Sequence, residues 1–289
     1  MSNPTSPTSP TDPSLAPPAT RADTLRRWAV LIGAVGAIVG AAYGSGAFGG
    51  TPIAEAAGGA LAADATLLAP ATAAFGIWSF IYLGLAVFAV FQFLPRHATD
   101  PRLRATAWLV LVSMLLNAAW IGVVQAGALW ASVIVIVALV IVLSVVAARL
   151  ASTPPSDWRE RLTTDVPVGL YLGWVVVATI ANATAVLAAS DGDFSAGDGM
   201  PFAIAALVMA AALSIALARG LRASPPLSMA TGFALAWGLW WIAVGRLTDS
   251  PANTAVGWAA GLAAIVALAT PFAIRDFSYV NRKDPLAPQ

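Results

Sequence analysis

Eight long apolar runs follow one another along this chain of 289 residues, and they restrict its fold more than any other feature. About 20 apolar residues in a helix cross the ~30 Å hydrocarbon layer of a bilayer. With 59% hydrophobic and 10% charged residues, and a mean hydropathy of +0.80, the composition lies outside the range of soluble domains. The sequence predicts an all-α polytopic membrane helix bundle, with spans near 28–48, 71–95, 105–125, 129–149, 166–189, 200–218, 227–246 and 254–274.

The arginines between these runs indicate how the bundle is oriented. They cluster before the first span, between the second and third, and after the fourth, sixth and eighth, whereas segments 49–70 and 190–199 contain no Lys or Arg. Because cytoplasmic loops carry the excess of basic residues, we expect both termini to be cytoplasmic. The expected location is a bacterial plasma membrane.

The far side of the membrane has two features of note. Arg246 is the exception to the charge pattern, and we interpret it as an interfacial anchor that pairs with Asp249, three residues on. The loop from Gly49 to Pro70 is long and rich in Ala and Gly, and it is expected to fold over a pocket mouth as a lid.

Several kinds of chemistry lack their residues in this chain. With no cysteine, it can form neither disulfides nor thiolate metal sites, and its single histidine, His97, lies in a charged loop. No span has an ionisable residue near its middle, so proton relays and histidine-ligated haem are not expected, and no metal or catalytic residue is assigned. The chain has no basic run with interleaved aromatics, which argues against nucleic acid as a partner.

One helix face combines aromatic and amide side chains inside an apolar span. Tyr171, Trp174, Ala178 and Asn182 recur at steps of three and four, which places them on one face of the fifth helix. A Tyr hydroxyl or an Asn amide is costly in hydrocarbon unless it is hydrogen-bonded. This face should therefore look toward protein, ligand or water.

Two other helices repeat the pairing of a tryptophan with a hydrogen-bonding neighbour. The second helix has Trp78 and Tyr82 on one face, and the third has Asn117 and Trp120. Each alone is typical of an aromatic belt or of interhelical hydrogen bonding. Their repetition in three helices favours a shared cavity that would hold a large, planar, partly polar molecule.

Small-residue ladders occur in the first and last helices. Gly36, Gly40 and Gly44 form one ladder, and Gly257 with Gly261 forms a shorter one. Such faces let helices approach closely. The spacing favours packing, and it leaves open whether the contact lies within the bundle or in a homodimer.

At these motifs the chain resembles the TspO/MBR family, also called tryptophan-rich sensory proteins or translocator proteins. The family pattern has a Pro before W-x-x-x-Y, then L-N-x-x-W, then Y-x-x-W-x-x-x-A-x-x-x-N. Here the first motif is Pro70 with Trp78 and Tyr82, the second is Leu116-Asn117-Ala118-Ala119-Trp120, and the third is Tyr171, Trp174, Ala178 and Asn182. The motifs cover roughly residues 28–189, and the last three spans lie beyond them.

The resemblance implies a five-helix core that binds a tetrapyrrole such as protoporphyrin, or a sterol-like molecule, for sensing or transport. It implies no certain cofactor, and it leaves open whether the protein is an enzyme, since a photochemical activity has been proposed in the family. The ligand-binding residues would be Trp78, Tyr82, Asn117, Trp120, Tyr171, Trp174, Ala178 and Asn182. The expected organisation is a disordered cytoplasmic tail at 1–24, the core at 25–189, three added helices at 190–276 and a cytoplasmic tail at 277–289.

Two other functions remain open from the sequence. One is a transporter that uses all eight helices to move a neutral or zwitterionic solute, although no internal repeat is evident. The other is a structural role in which tryptophan faces contact a protein partner, for which Trp237, Trp240 and Trp241 in the seventh span are candidates. The expected partners are otherwise the lipid bilayer and a small hydrophobic ligand.

Overall fold

The computed structural model describes residues 18–44, 51–153, 155–191 and 199–274. Within these ranges eight helices are long and apolar enough to cross a membrane, which confirms the predicted all-α bundle. Most of both predicted tails lies outside the described residues. The helices are α1 (Arg21–Gly44), α2 (Ile77–Phe93), α3 (Pro101–Gln125), α4 (Leu129–Ser152), α5 (Val166–Asp191), α6 (Met200–Gly220), α7 (Pro225–Thr248) and α8 (Thr254–Ile274).

Short non-α turns lead into two of these helices. A 3-10 turn at Thr72–Gly76 precedes α2, and a π-helical turn at Arg161–Asp165 runs directly into α5. The start of α3 is capped by Asp100, whose carboxylate accepts hydrogen bonds from two backbone N–H groups at 2.8 and 3.2 Å. Such a cap satisfies donors that would otherwise have no partner in the first turn.

Basic segments meet at one end of the bundle, which we call the basic end. Arg104 on α3 binds the Asp23 carboxylate at the start of α1, and Arg26 donates to the Ala98 carbonyl in the α2–α3 loop at 2.8 Å. In the same loop His97 lies against the Phe91 ring, and its pKa is lowered by burial and by its arginine neighbour. These contacts tie α1, α2 and α3 together.

A buried ion network joins four further segments at the basic end. The Arg102 guanidinium binds Glu160 at 2.9 Å and Asp165 at 2.5 Å, and it also donates to carbonyls at the end of α4. The second oxygen of Asp165 accepts from Ser224, immediately before α7, at 3.0 Å. Burial of these charges is tolerated because each has a partner. Through Asp165, the π-helical turn is bound both to α3 and to the start of α7.

Glycines let α7 approach α5 closely along its length. A Cβ at Gly169 would lie 2.6 Å from the Leu227 carbonyl oxygen, and one at Gly173 would overlap the Thr231 carbonyl. Backbones this close leave no room for a side chain or a lipid between them. The expected boundary at residue 190 remains a prediction, but α7, which lies beyond it, packs directly on α5 of the core.

The two predicted glycine ladders have different surroundings. In α1, a Cβ at Gly36 or Gly40 would meet no described atom within 4 Å, whereas one at Gly44 would meet the Ile121 side chain. In α8, Gly257 faces Leu247 of α7 closely. Packing within the bundle therefore accounts for Gly44 and Gly257, and it does not account for Gly36 and Gly40.

Candidate functional site

A lid formed by residues 51–70 covers the end of the bundle opposite the basic end. Gln125 at the end of α3 holds its first residue by donating to the Thr51 carbonyl at 2.8 Å. Its far end is held by α7, where the Ala71 N–H donates to the Trp241 carbonyl at 3.2 Å. In its described part, the loop folds over a pocket mouth as the sequence predicted, while Gly49 and Gly50 lie outside the described residues.

Two neighbouring cavities of about 40 and 280 Å³ lie beneath the lid. Both are bordered by Ile53 of the lid, Phe75 before α2 and Trp120 of α3. Trp174, Ala178 and Asn182 of α5 line the smaller one, and Trp78 and Tyr82 of α2 line the larger one. Six of the eight sequence-predicted site residues therefore border one cavity or the other.

An amide network positions the wall of the smaller cavity. The Trp120 indole N–H donates to the side-chain oxygen of Asn182 at 3.3 Å, and the Asn182 amide nitrogen donates to the Ser132 hydroxyl at 2.9 Å. Ser132 in turn donates to the Leu129 carbonyl at 2.6 Å. Asn182 thus joins α3, α4 and α5, and its amide is satisfied in a helix where an unpaired amide would be costly.

Aromatic rings form the wall of the larger cavity. The rings of Trp78 and Tyr82 stack at 5.0 Å between centroids with an interplanar angle of 19°. The Asn117 amide donates to the Tyr82 hydroxyl at 3.1 Å. Asn117 borders neither cavity, so in this structure it holds Tyr82 in place and links α3 to α2.

Tyr171 also lies behind the cavity wall. It is 1% exposed, and its hydroxyl donates to the Ser113 carbonyl on α3 at 3.0 Å. Its ring meets the edge of Trp78 at 5.9 Å between centroids. The structure therefore places Tyr171 and Asn117 behind the residues that face the cavities.

Trp174 has an unsatisfied donor at the centre of the site. The residue is 1% exposed, and its indole N–H has no acceptor among the described residues. Its ring lies edge-on to Phe75 at 5.7 Å and to Trp78 at 6.2 Å. Because buried indole N–H groups usually find a partner, an acceptor supplied by a bound molecule would complete this site.

Arg246 is located differently from the sequence expectation. Instead of anchoring at the interface beside Asp249, it is 1% exposed and donates to the lid carbonyls of Thr66 at 2.9 Å and Ala63 at 2.8 Å. The lid carbonyls lie closer to the guanidinium than the solvent-facing carboxylate does, so they take its hydrogen bonds. Arg246 therefore ties α7 to the middle of the lid.

The tryptophans of α7 have separate roles. The Trp237 indole N–H donates to the Ala74 carbonyl before α2 at 2.8 Å, and its ring packs against Trp241 at 5.7 Å between centroids. Trp240 is 55% exposed. Two of these three candidates for a protein contact are thus used inside the molecule, and Trp240 faces outward.

Sequence reasoning did not identify several residues that build the site. Ser132, which positions Asn182, is separated from Ser144, the next polar residue of α4, by an unbroken apolar run, and that isolation was a usable signal. Lid residues Ile53 and Thr66 had no such signal, because their placement depends on how the loop folds. The sequence singled out Arg246 as the exception to the charge pattern. Its hydrogen-bond partners, however, depend on how the lid folds.

The site has the chemistry of a binding pocket. Its walls are apolar and aromatic, with few polar groups, as ligand sites generally are. Among the described residues, no cluster of three or more His, Asp or Glu side chains could hold a metal ion. The lining offers ring faces for stacking and an indole donor for hydrogen bonding.

Comparison with known proteins identifies the family. A family model described as TSPO-like protein matches residues 27–273, which extends through α6, α7 and α8 and beyond the stretch covered by the sequence motifs. Neither the curated proteins nor the solved structures include a match to the chain. With eight apolar helices and a match over most of its length, this integral membrane protein belongs to the TSPO-like protein family.

Proposed function

We propose that this protein binds a planar, largely apolar ligand in the cavities beneath the lid, for sensing or transport. The expected ligand class is a tetrapyrrole such as protoporphyrin, or a sterol-like molecule. The observation that carries the proposal is the buried Trp174 indole N–H, which has no acceptor among the described residues, at the edge of the smaller cavity. Trp120 borders this cavity too, and Trp78 borders the larger cavity beside it. A flat ligand with one acceptor atom would satisfy that donor and stack on the rings.

The site residues divide into two roles. Trp78, Tyr82, Trp120 and Trp174 would contact the ligand, with Ala178 and Asn182 completing the α5 wall. Asn117 and Tyr171 would position Tyr82 and Trp78 from behind, as their hydrogen bonds and ring contacts indicate. This division predicts that losing a contacting ring weakens binding more than losing a positioning group of similar size.

The size of the cavities indicates that the lid moves. Ligand pockets are usually about 300–1,000 Å³, and the larger cavity here is about 280 Å³. Since Ile53, Phe75 and Trp120 border both cavities, a shift of Ile53 with the lid would merge the two. A ligand as large as a porphyrin therefore requires the lid to open on entry.

Orientation and assembly belong to the same proposal. All described loops with arginines between helices meet at the basic end, so we propose that this end is cytoplasmic and the lid faces the opposite side. A homodimer would involve the α1 face at Gly36 and Gly40, which has no neighbour in the described structure.

The proposal is tested by titrating the detergent-purified protein with protoporphyrin IX and following tryptophan fluorescence. We expect saturable quenching, and a dissociation constant raised about tenfold in Trp174→Phe through loss of a buried hydrogen bond. The matched control is Trp258→Phe, because Trp258 is 65% exposed on the outer surface. Non-saturable quenching, or equal dissociation constants for the two variants, would contradict the proposal.

A further inference from the structure

Arg246 is a buried charge that forms no salt bridge with a described residue, although Asp249 and Asp64 act on it from a greater distance. Of the three buried arginines in the described part of the chain, Arg26 forms a salt bridge with Asp23, and Arg102 forms two. Among the described residues, the Arg246 guanidinium donates only to carbonyls of the lid. Buried charges in membrane helices are costly and generally mark a functional site.

Two donors at this point lack acceptors. The Arg246 Nε–H and the Thr66 hydroxyl are both inaccessible to solvent and have no hydrogen-bond partner among the described residues. They belong to the same contact, because the Arg246 guanidinium donates to the Thr66 carbonyl. A carboxylate oxygen can accept a hydrogen bond from the Thr66 hydroxyl, and the positive charge of a nearby guanidinium favours the ionised acid.

One of these donors borders a ligand cavity, and the other lies behind the lid. Thr66 borders the smaller cavity, and Ala63, the other residue that Arg246 holds, borders the larger one. The guanidinium is therefore one layer of lid residues away from both. At low dielectric its positive charge acts across such a distance on whatever occupies the cavities.

Resting on the function proposed above, we propose that the natural ligand bears a carboxylate, which the Thr66 hydroxyl binds at the lid end of the cavities and the buried Arg246 charge stabilises from behind the lid. The apolar body of the ligand lies among the tryptophans, and its acid group points toward α7. The ligand class is thus an amphiphilic carboxylate, which includes tetrapyrroles with acid side chains and long-chain fatty acids. Specificity for the acid would come from a helix beyond the five-helix stretch that the sequence motifs cover.

The first test compares protoporphyrin IX with its dimethyl ester, because the two share a macrocycle and differ in charge. At pH 8, where the free acids are ionised, we expect the wild-type protein to bind the acid about tenfold more tightly than the ester. Arg246→Gln should bring the affinity for the acid down to that for the ester. Equal affinities in the wild type, or an acid preference that survives Arg246→Gln, would overturn the inference.

Two further variants separate charge from folding. Thr66→Val removes a hydroxyl that has no partner in the described structure, so it should fold normally and reduce the acid preference in the same direction. Trp237→Phe loosens the turn between the lid and α2 by removing the indole bond to Ala74, while leaving every charge in place. This control should keep the ratio of acid to ester affinity, and loss of the ratio in it would overturn the assignment to Arg246.

A second pair of ligands keeps this inference distinct from the tetrapyrrole proposal. If neither porphyrin binds saturably, the tetrapyrrole proposal fails, and the carboxylate is then tested with oleate and oleyl alcohol by their effect on the unfolding temperature. A larger upward shift with oleate, abolished in Arg246→Gln, would support the carboxylate site and point to a fatty acid. Equal shifts with the two compounds would overturn it.

Discussion

The indole nitrogen of Trp120 on α3 donates to the side-chain oxygen of Asn182 on α5 at 3.3 Å, across the wall of the smaller cavity. This contact connects the second sequence motif to the third, and Ser132 of α4 supports it from behind. Both tryptophan and asparagine were predicted to contact the ligand. In the structure each also holds the other in place.

Asn182→Leu should therefore weaken both folding and binding. We expect a loss of about 0.6–2 kcal/mol in the free energy of unfolding, since interhelical hydrogen bonds in membranes have that range. Denaturant unfolding in detergent micelles, followed by circular dichroism, measures it. Ser132→Ala is the matched variant. The double variant Ser132→Ala/Asn182→Leu should lose less free energy of unfolding than the sum of the two single variants. Strict additivity would argue against the network.

Ala71, directly after the lid, and Gly245 of α7 should form a disulfide when both are replaced by cysteine. A Cβ at Gly245 would lie 3.6 Å from the Ala71 Cβ, within the range that disulfides require. Because the natural chain has no cysteine, thiol loss on oxidation reports this pair alone. Each single-cysteine variant should stay reactive to maleimide. A double variant that keeps two free thiols would show that the far end of the lid is not held against α7 at residue 71.

Arg102→Gln should destabilise the whole bundle. Removing one partner from a buried ion network costs about 3–5 kcal/mol, because the remaining charges stay buried, and here Glu160 and Asp165 would both lose their arginine. The matched control is Arg219→Gln, at an exposed position at the end of α6, which should change the unfolding temperature little. Similar stability for the two variants would contradict the network.

Gly173→Ala should separate α5 from α7. Its added methyl group would overlap the Thr231 carbonyl, and overpacking of this kind costs about 1–3 kcal/mol. In Gly122→Ala, by contrast, the methyl group would meet no described atom within 4 Å, so stability should be kept or slightly raised. Thermal unfolding of the two variants side by side makes the comparison, and equal stabilities would argue against close α5–α7 packing.

The fold was largely predictable because a bilayer imposes a simple rule on sequence. Apolar runs of sufficient length become helices, and the starts and ends of α3, α4 and α5 lie within a few residues of the predicted spans. Helical spacing also predicted correctly that Trp174, Ala178 and Asn182 share a face, and all three border the same cavity.

Helical spacing could not predict which neighbouring helix each polar side chain would hydrogen-bond to. Asn117 and Tyr171 sit at the right helical positions, but their hydrogen bonds go to α2 and α3, and this depends on how the helices rotate against one another. The partners of Arg246 depend on a loop with no regular period, so no pattern in the chain indicated that lid carbonyls would replace Asp249.

The central claim, that the cavity beneath the lid is the ligand site, is tested most directly by cysteine protection. A single cysteine replaces Ala178 in the cavity wall in one variant and Ile134, 72% exposed on the outside of α4, in another. Maleimide labelling rates are then measured with and without saturating protoporphyrin IX. We predict that protoporphyrin slows labelling at position 178 and leaves the rate at position 134 unchanged. Equal rates at position 178 with and without protoporphyrin, under conditions where binding is saturated, would place the ligand elsewhere and contradict the account.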